Sequence, residues 1–402
     1  MQPNNKAENI KTRINFINLY VIFYILNETV LRKSYFFIKK NIVSVFFLIL
    51  VVSDAFTKVF HNEFSISKYV KAFLLLCLVF YSVYHKSKLI NYVILALVLF
   101  TIGSLSVSIT RFTYNLPQFF EYYFALFYLI FLQNKPLGKL KCVLEYVFIA
   151  HAAIIITSAV LELQFLKTYP YSARFGYTSL FNSQNEFSFI MISGIAFFTV
   201  NLSKNNYFNI IKLIVFLISS LLVGTKAIFI FLIFFYSCLM IKYLKPIFYS
   251  SIIASLFIIV LLFQNRIILL FKTNYKTLYD VYRNDGLINF LSSNRYKNFF
   301  SKLSKNSENL DFINYLFGSY DLNYVYELAL LDILGFFGAI GALVYFLIIK
   351  KYTSYLFIDN FKIKTYGYSL IFISMGAGYL FENASAQVYT LSVFFVMNGL
   401  RK

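Results

Sequence analysis

The sequence predicts an all-α polytopic membrane protein, with about 12 transmembrane helices and one large outer loop. Three observations predict it. Of 402 residues, 59% are apolar and only 13% are charged, against about 45–50% and about 25% in a soluble chain. Mean hydropathy is +0.69, so a water-exposed fold would leave long apolar stretches uncovered. The apolar residues also fall in runs of the length that one bilayer crossing needs, roughly 20 residues. A cytosolic enzyme, a secreted disulfide scaffold and a disordered chain are thereby excluded.

Residues 1–41 read as a cytoplasmic or interfacial segment. Within it, the stretch 14–31 is broken by Asn15, Asn18, Asn27 and Glu28 and flanked by basic residues. That pattern fits a helix lying in the interface, with a thirteenth span as the alternative. Nine spans follow within 42–264, at residues 42–60, 69–84, 89–109, 117–133, 142–163, 187–202, 208–223, 226–243 and 246–264. The hydrophilic stretch 265–323 comes next, and then three spans within 324–402, at residues 324–349, 367–381 and 386–400.

Charge orients this array. The chain carries 37 Lys+Arg against 17 Asp+Glu, a formal +20, and cytoplasmic connections of membrane proteins collect Lys and Arg. An N-terminus in the cytoplasm puts Lys39, Lys40, Lys86, Lys88, Lys135, Lys139, Lys242, Lys245, Lys350 and Lys351 on the inner side. The long stretch 265–323 and a shorter one at 164–186 then face outward. Labelling checks this directly: Arg295→Cys is expected to react with an impermeant thiol reagent applied outside and Lys245→Cys is not. The reverse pattern would invert the topology. No soluble basic domain exists to carry nucleic acid. The abundance of Phe and Tyr without any Trp fits a biased coding composition rather than aromatic recognition.

The informative cations are those that oppose the orienting signal: Arg111, Arg174, Lys226, Arg266, Arg283 and Arg295. A phosphate-bearing ligand at the outer leaflet gives a reason to keep them there, since a guanidinium fits phosphate oxygens bidentately. The plainer reading, a solvated charge on a long translocated loop, suits Lys302 and Lys305 best. Arg174 precedes Asn182-Ser183-Gln184-Asn185-Glu186, in which Ser183 and Glu186 form a capping box at the start of a span. Such a helix end faces outward and attracts anions. Lys226 follows Gly224-Thr225 in a tight connection, where a cation at a helix start is unfavourable unless an anion offsets it.

Carboxylates come next. Glu327 lies where the long loop meets the membrane, with Asp332 five residues deeper, a turn of about 140° that puts the two on different faces. Asp332 shares a stripe with Gly335, Ala339 and Ala342, a pattern suited to close helix contact, so it is expected to satisfy a neighbouring helix. Glu327 is the acid/base candidate. Asp54, Glu121, Glu145 and Glu162 are intramembrane carboxylates and so functional candidates by default; Lys58, one turn from Asp54, makes an ordinary ion pair the simpler view there. The three cysteines and three histidines are scattered and suit packing better than chemistry, and no metal-ligand motif or nucleotide-binding glycine loop is present.

Arg174-Phe175-Gly176 followed by Asn185, the Gly224-Thr225-Lys226 turn, one large loop with Ser293-Asn294-Arg295, and Phe317-Gly318 followed by Tyr326-Glu327, Asp332 and Gly335-x-x-Gly338 together resemble the bacterial O-antigen polymerases of the O-antigen ligase and polymerase superfamily. The resemblance covers residue 165 to the C-terminus. It implies a metal-independent, cofactor-free glycosyltransferase of the bacterial inner membrane that joins undecaprenyl-pyrophosphate-linked oligosaccharide repeat units at the periplasmic face. Glu327, Arg174 and Arg295 would be catalytic. Lys226, Asn185, Arg266, Arg283 and Arg111 would bind pyrophosphate or sugar, and a chain-length regulator in the membrane would be a partner. The ligases of this superfamily carry a histidine near the start of the span after the long loop, a region where Glu327 stands here instead, which favours polymerase. Ligase and lipid-linked-sugar flippase remain the alternatives, the latter weakened because transporters are usually built from internal repeats and none is visible.

Overall fold

The computed structural model describes residues 39–60, 65–168, 176–181, 183–202, 207–243, 283–284, 295, 301, 312–318, 328–357, 360–376 and 380–399. Among them the regular structure is helical, apart from one isolated bridge between Lys167 and Tyr177. The helices are α1 (Lys39–Val59), α2 (Ile66–Tyr84), α3 (Leu89–Val107), α4 (Ile109–Asn134), α5 (Leu140–Val160), α6 (Gln184–Val200), α7 (Tyr207–Leu222), α8 (Lys226–Tyr243), the short α9 (Phe312–Phe317), α10 (Ala329–Thr353), α11 (Phe361–Gly376) and α12 (Ala384–Gly399). Every apolar run of the sequence overlaps one of them except 246–264, which, like 14–31, lies outside the described residues.

Among the described residues, six helices (α1, α2, α3, α5, α8 and α10) are long and apolar enough to cross a membrane. Their outward faces suit lipid: on α2, Phe73, Leu76 and Phe80 are exposed while Ser67 and Ser82 are buried. The more polar helices sit inside. Every residue of α6 from Glu186 to Thr199 is buried, and α12 is buried almost throughout. These two pack extensively on each other, joined by hydroxyls: Tyr366 of α11 donates to Ser193 at 2.8 Å, and Ser193 and Thr390 lie 3.2 Å apart. These hydroxyls satisfy one another across the helix contacts, as polar side chains do between packed membrane helices.

Side-chain contacts fix the helix directions. Asn41 accepts from Lys139 N–H, Lys351 reaches Tyr92 and Lys362 reaches the Thr199 carbonyl, gathering the lysine-rich connections at one end. At the opposite end Tyr122 meets Glu382, Thr57 accepts from Ser67 N–H, and Thr168 donates to the Val223 carbonyl. Gly224 turns the α7–α8 connection with φ 70°.

Two glycine approaches seat the end of the 265–323 stretch within the bundle. Gly318 and Gly338 have φ of 78° and 68°, and a β-carbon on Gly338 would strike the Leu316 carbonyl and Gly318 N. Gly103 of α3 abuts the Phe317 and Gly318 carbonyls, and Ser106 donates to Asn314 at 2.8 Å. Thus α9 lies between α3 and α10, and the small residues of α10 receive this segment. The Asp332 carboxylate turns back on the start of α10 and accepts Leu328 N–H at 2.8 Å, because the free N–H groups of a helix start lie within its reach. Gly338→Ala is expected to cost about 1–3 kcal/mol from backbone strain alone, with the clash added. Thermal unfolding of the purified protein should show a clear fall in Tm for it and little for Gly376→Ala, where nothing lies within 4 Å.

Candidate functional site

At the end opposite the lysine-rich connections, five helices meet around a cavity of about 340 Å³. α1 contributes Asp54 and Thr57, α2 Ser67, Lys68 and Lys71, α4 Gln118 and Glu121, and the starts of α6 and α12 contribute Ser183, Glu186, Glu382, Asn383 and Ala384, with Phe181 as an aromatic wall. Three helix starts are capped here. Thr57 accepts from Ser67 N–H at 2.9 Å, Ser183 accepts from Glu186 N–H at 3.4 Å, and Asn383 accepts from Ser385 and Ala386 N–H at 2.9 and 3.1 Å. Each cap pins a carboxylate-bearing or hydroxyl-bearing first turn at the cavity.

Lys71 is the centre of the charge network. Its ammonium lies 3.0 Å from Asp54 and 3.6 Å from Glu186. Asp54 also accepts from Ser385 at 2.6 Å and from Ser67 in a short hydrogen bond. The expected Asp54–Lys58 pairing gives way to Lys71, since the hairpin of α1 and α2 brings Lys71 across the interface. Glu186 is 6% exposed, and its Oε1 accepts no hydrogen bond, so the capping box is half made: the serine caps, while the glutamate faces the cavity. Glu382 accepts from Tyr122 at 2.8 Å. Beside the cavity, His151 bridges Ser179 and Tyr389 at 2.9 and 3.0 Å. Both ring nitrogens are satisfied and the ring is buried among Phe181, Phe187 and Tyr389, a packing role.

Arg111, Asn185, Lys226 and Arg295 lie at this end. Arg111 lies in the first turn of α4, its N–H on the Ser108 cap at 3.1 Å. Asn185 is the second residue of α6 and Lys226 the first of α8. Arg295 donates to the Gly376 carbonyl, where α11 ends, at 2.9 Å. Arg283 is exposed. None of these five lines the cavity, and Arg174, Arg266 and Glu327 lie outside the described residues. Of the other intramembrane carboxylates, Asp54 and Glu121 meet in the cavity, Glu145 pairs with Lys212 between α5 and α7, and Glu162 follows the end of α5 with φ 51°. Lys71 and Glu382 are site residues that sequence reasoning misses. Lys71 carries a usable signal, an ionisable residue inside an apolar run; Glu382, between two spans, carries none.

Comparison with protein-family models, with curated proteins and with solved structures returns no match. The chemistry of the site therefore rests on its residues. Among the described residues no three His, Cys, Asp or Glu side chains are grouped to hold a metal ion. The cavity instead interleaves donors and acceptors, four carboxylates with two lysines, hydroxyls and amides, over an aromatic wall.

Proposed function

We propose that this protein polymerises oligosaccharide repeat units carried on a polyprenyl pyrophosphate, at the outer face of the bacterial inner membrane. The acceptor hydroxyl attacks the anomeric carbon of the donor sugar, the bond from that carbon to the pyrophosphate oxygen breaks, and the polyprenyl pyrophosphate leaves as an anion. Glu327 takes the hydroxyl proton, and Arg174 and Arg295 stabilise the charge of the leaving group. Lys226, Asn185, Arg266, Arg283 and Arg111 hold the pyrophosphate and its first sugar.

One observation carries the reading. The end of the bundle away from the lysine-rich connections holds both a polar cavity and cations that no orienting signal explains, Arg111 and Lys226 at helix starts and Arg295 at the end of α11. A lipid-linked sugar needs that combination: cations for phosphate, and hydroxyl-handling groups for sugar, at the membrane boundary. The test is genetic and chemical. In a host that makes the repeat unit, flips it and ligates it, deletion of this chain is expected to leave single units on the lipid core and no polymer. Loss of the single unit as well would assign the chain to ligation or flipping instead. Within that assay, Lys226→Arg is expected to keep more polymer than Lys226→Ala, because a point charge rather than a planar fork serves there.

A further inference from the structure

We infer that α9 is a re-entrant lipid anchor: it carries the chain into the hydrocarbon from the end opposite the lysine-rich connections, turns at Gly318, and presents Phe312, Ile313 and Tyr315 to acyl chains. Two lysines give a ruler for its depth, since Lys350 closes α10 and Lys88 precedes α3 at the lysine-rich end. At about 1.5 Å per residue, Gly338 lies about 18 Å from Lys350 and Gly103 about 22 Å from Lys88. The hydrocarbon is about 30 Å thick, so both glycines stand inside it, and both abut Gly318. Ser106, which donates to Asn314 at 2.8 Å, is about 27 Å from Lys88, near the far boundary. The chain therefore descends from Asn314 to Gly318. Leu328, at the start of α10, is about 33 Å from Lys350, so the chain comes back to the boundary that it left. Tilt of α3 or α10 shortens these heights and sets Gly318 deeper.

A non-helical turn at this depth has to be wrapped in protein. Gly318 N–H donates to the Asn314 carbonyl at 2.9 Å, and the helical course of α10 breaks at Gly338, which lets the turn in against Gly103. Asn314 and Gly318 are accordingly buried. The other face of α9 is apolar and open: Phe312 is 75% exposed, Ile313 45% and Tyr315 48%. No charged residue lies within Phe312–Phe317, although the stretch that leads to it is hydrophilic. That open face continues the apolar surfaces of the two helices on which α9 lies, where Ile102 and Leu105 of α3 and Leu330 and Leu334 of α10 are exposed. Lipid that covers those helices also covers α9. The anchor stands independently of the polymerase reading.

The test uses the whole chain, one copy per nanodisc, with Cys77, Cys142 and Cys238 changed to serine and a nitroxide attached at one new cysteine. Phe312→Cys and Tyr315→Cys report on α9, Val98→Cys on the exposed middle of α3, and Lys86→Cys on the exposed connection between α2 and α3. Collision with oxygen, which concentrates in hydrocarbon, is compared with collision with a water-soluble nickel chelate. Both α9 labels are expected to favour oxygen several-fold more than Lys86→Cys does, in the manner of Val98→Cys. A β-carbon on Gly103 would strike the Phe317 and Gly318 carbonyls. Gly103→Ala is therefore expected to move the Tyr315→Cys ratio toward that of Lys86→Cys and to leave Val98→Cys unchanged; should it not fold, the two α9 labels decide alone. Nickel collision at both α9 positions equal to that at Lys86→Cys puts α9 in water and overturns the anchor. Exclusion of both reagents puts protein, not lipid, over that face and overturns it equally. An unmoved ratio in folded Gly103→Ala overturns the seat on α3 and the re-entrant path with it.

Discussion

Lys71→Met is expected to lower the amount of folded protein in the membrane more than any other single change at the cavity. Lys71 holds Asp54 at 3.0 Å and Glu186 at 3.6 Å, and both carboxylates are buried. Removing the cation leaves two like charges facing each other in a low-dielectric site. Breaking a buried pair in this way costs about 3–5 kcal/mol, a large share of the stability of a folded domain. The double variant Asp54→Asn, Lys71→Met removes one charge of each sign. It is expected to recover part of the loss, because the amide oxygen introduced by Asp54→Asn can still accept from Ser67 or Ser385, the two hydroxyls that meet the carboxylate. Thermal unfolding in detergent, scored as a double-mutant cycle, reads the coupling. Additive losses would mean that Lys71 and Asp54 do not act as a pair.

Arg295→Ala and Glu327→Gln are expected to abolish polymer at unchanged protein level. Arg295 reaches the Gly376 carbonyl and so stands at the end of α11, a few residues before the Glu382–Ala384 wall of the cavity. Removing a group that stabilises a leaving-group anion costs about 2.7–4 kcal/mol, or about 10²–10³ in rate, enough to erase long chains from a gel. Glu327→Gln keeps hydrogen bonding and removes basicity, with a general-base loss of about 10²–10⁴. Chain-length distribution and immunoblotted abundance, measured together, separate chemistry from folding. Full-length polymer from Glu327→Gln would take that residue out of the mechanism. Asp332→Asn serves as the contrast: its carboxylate caps the start of α10 at 2.8 Å from Leu328 N–H, so abundance should fall before specific activity does.

Much of the architecture is legible residue by residue. Lipid-facing helices announce themselves by uninterrupted apolar length, and α1, α2, α3, α5, α8 and α10 follow the runs within a few residues. The Ser183 cap and the Gly224 turn follow from local chemistry, since a serine hydroxyl and a glycine φ act over three or four residues. The candidate site is less legible. Ser183-x-x-Glu186 reads as a reciprocal cap, but the glutamate serves the cavity, because Lys71 from another helix competes for it. Asp54 has a lysine one turn along its own helix, whereas its partner comes from α2.

Sequence alone places α1, α2, α3, α5, α8 and α10 to within a few residues, starts α4 and α11 six to eight residues late, and assigns the lysines to one end. Those properties depend on nearest neighbours and on transfer between water and hydrocarbon, and both are sums over local residues. Helix packing is what brings Asp54, Lys71, Glu121, Glu186 and Glu382 to one cavity and seats Gly318 against Gly338. A sequence states which face of one helix is polar but not which other helix turns its own polar face to meet it. That choice is made by how all the helices pack at once, with α6 and α12 at the centre and every buried charge required to find a partner across an interface.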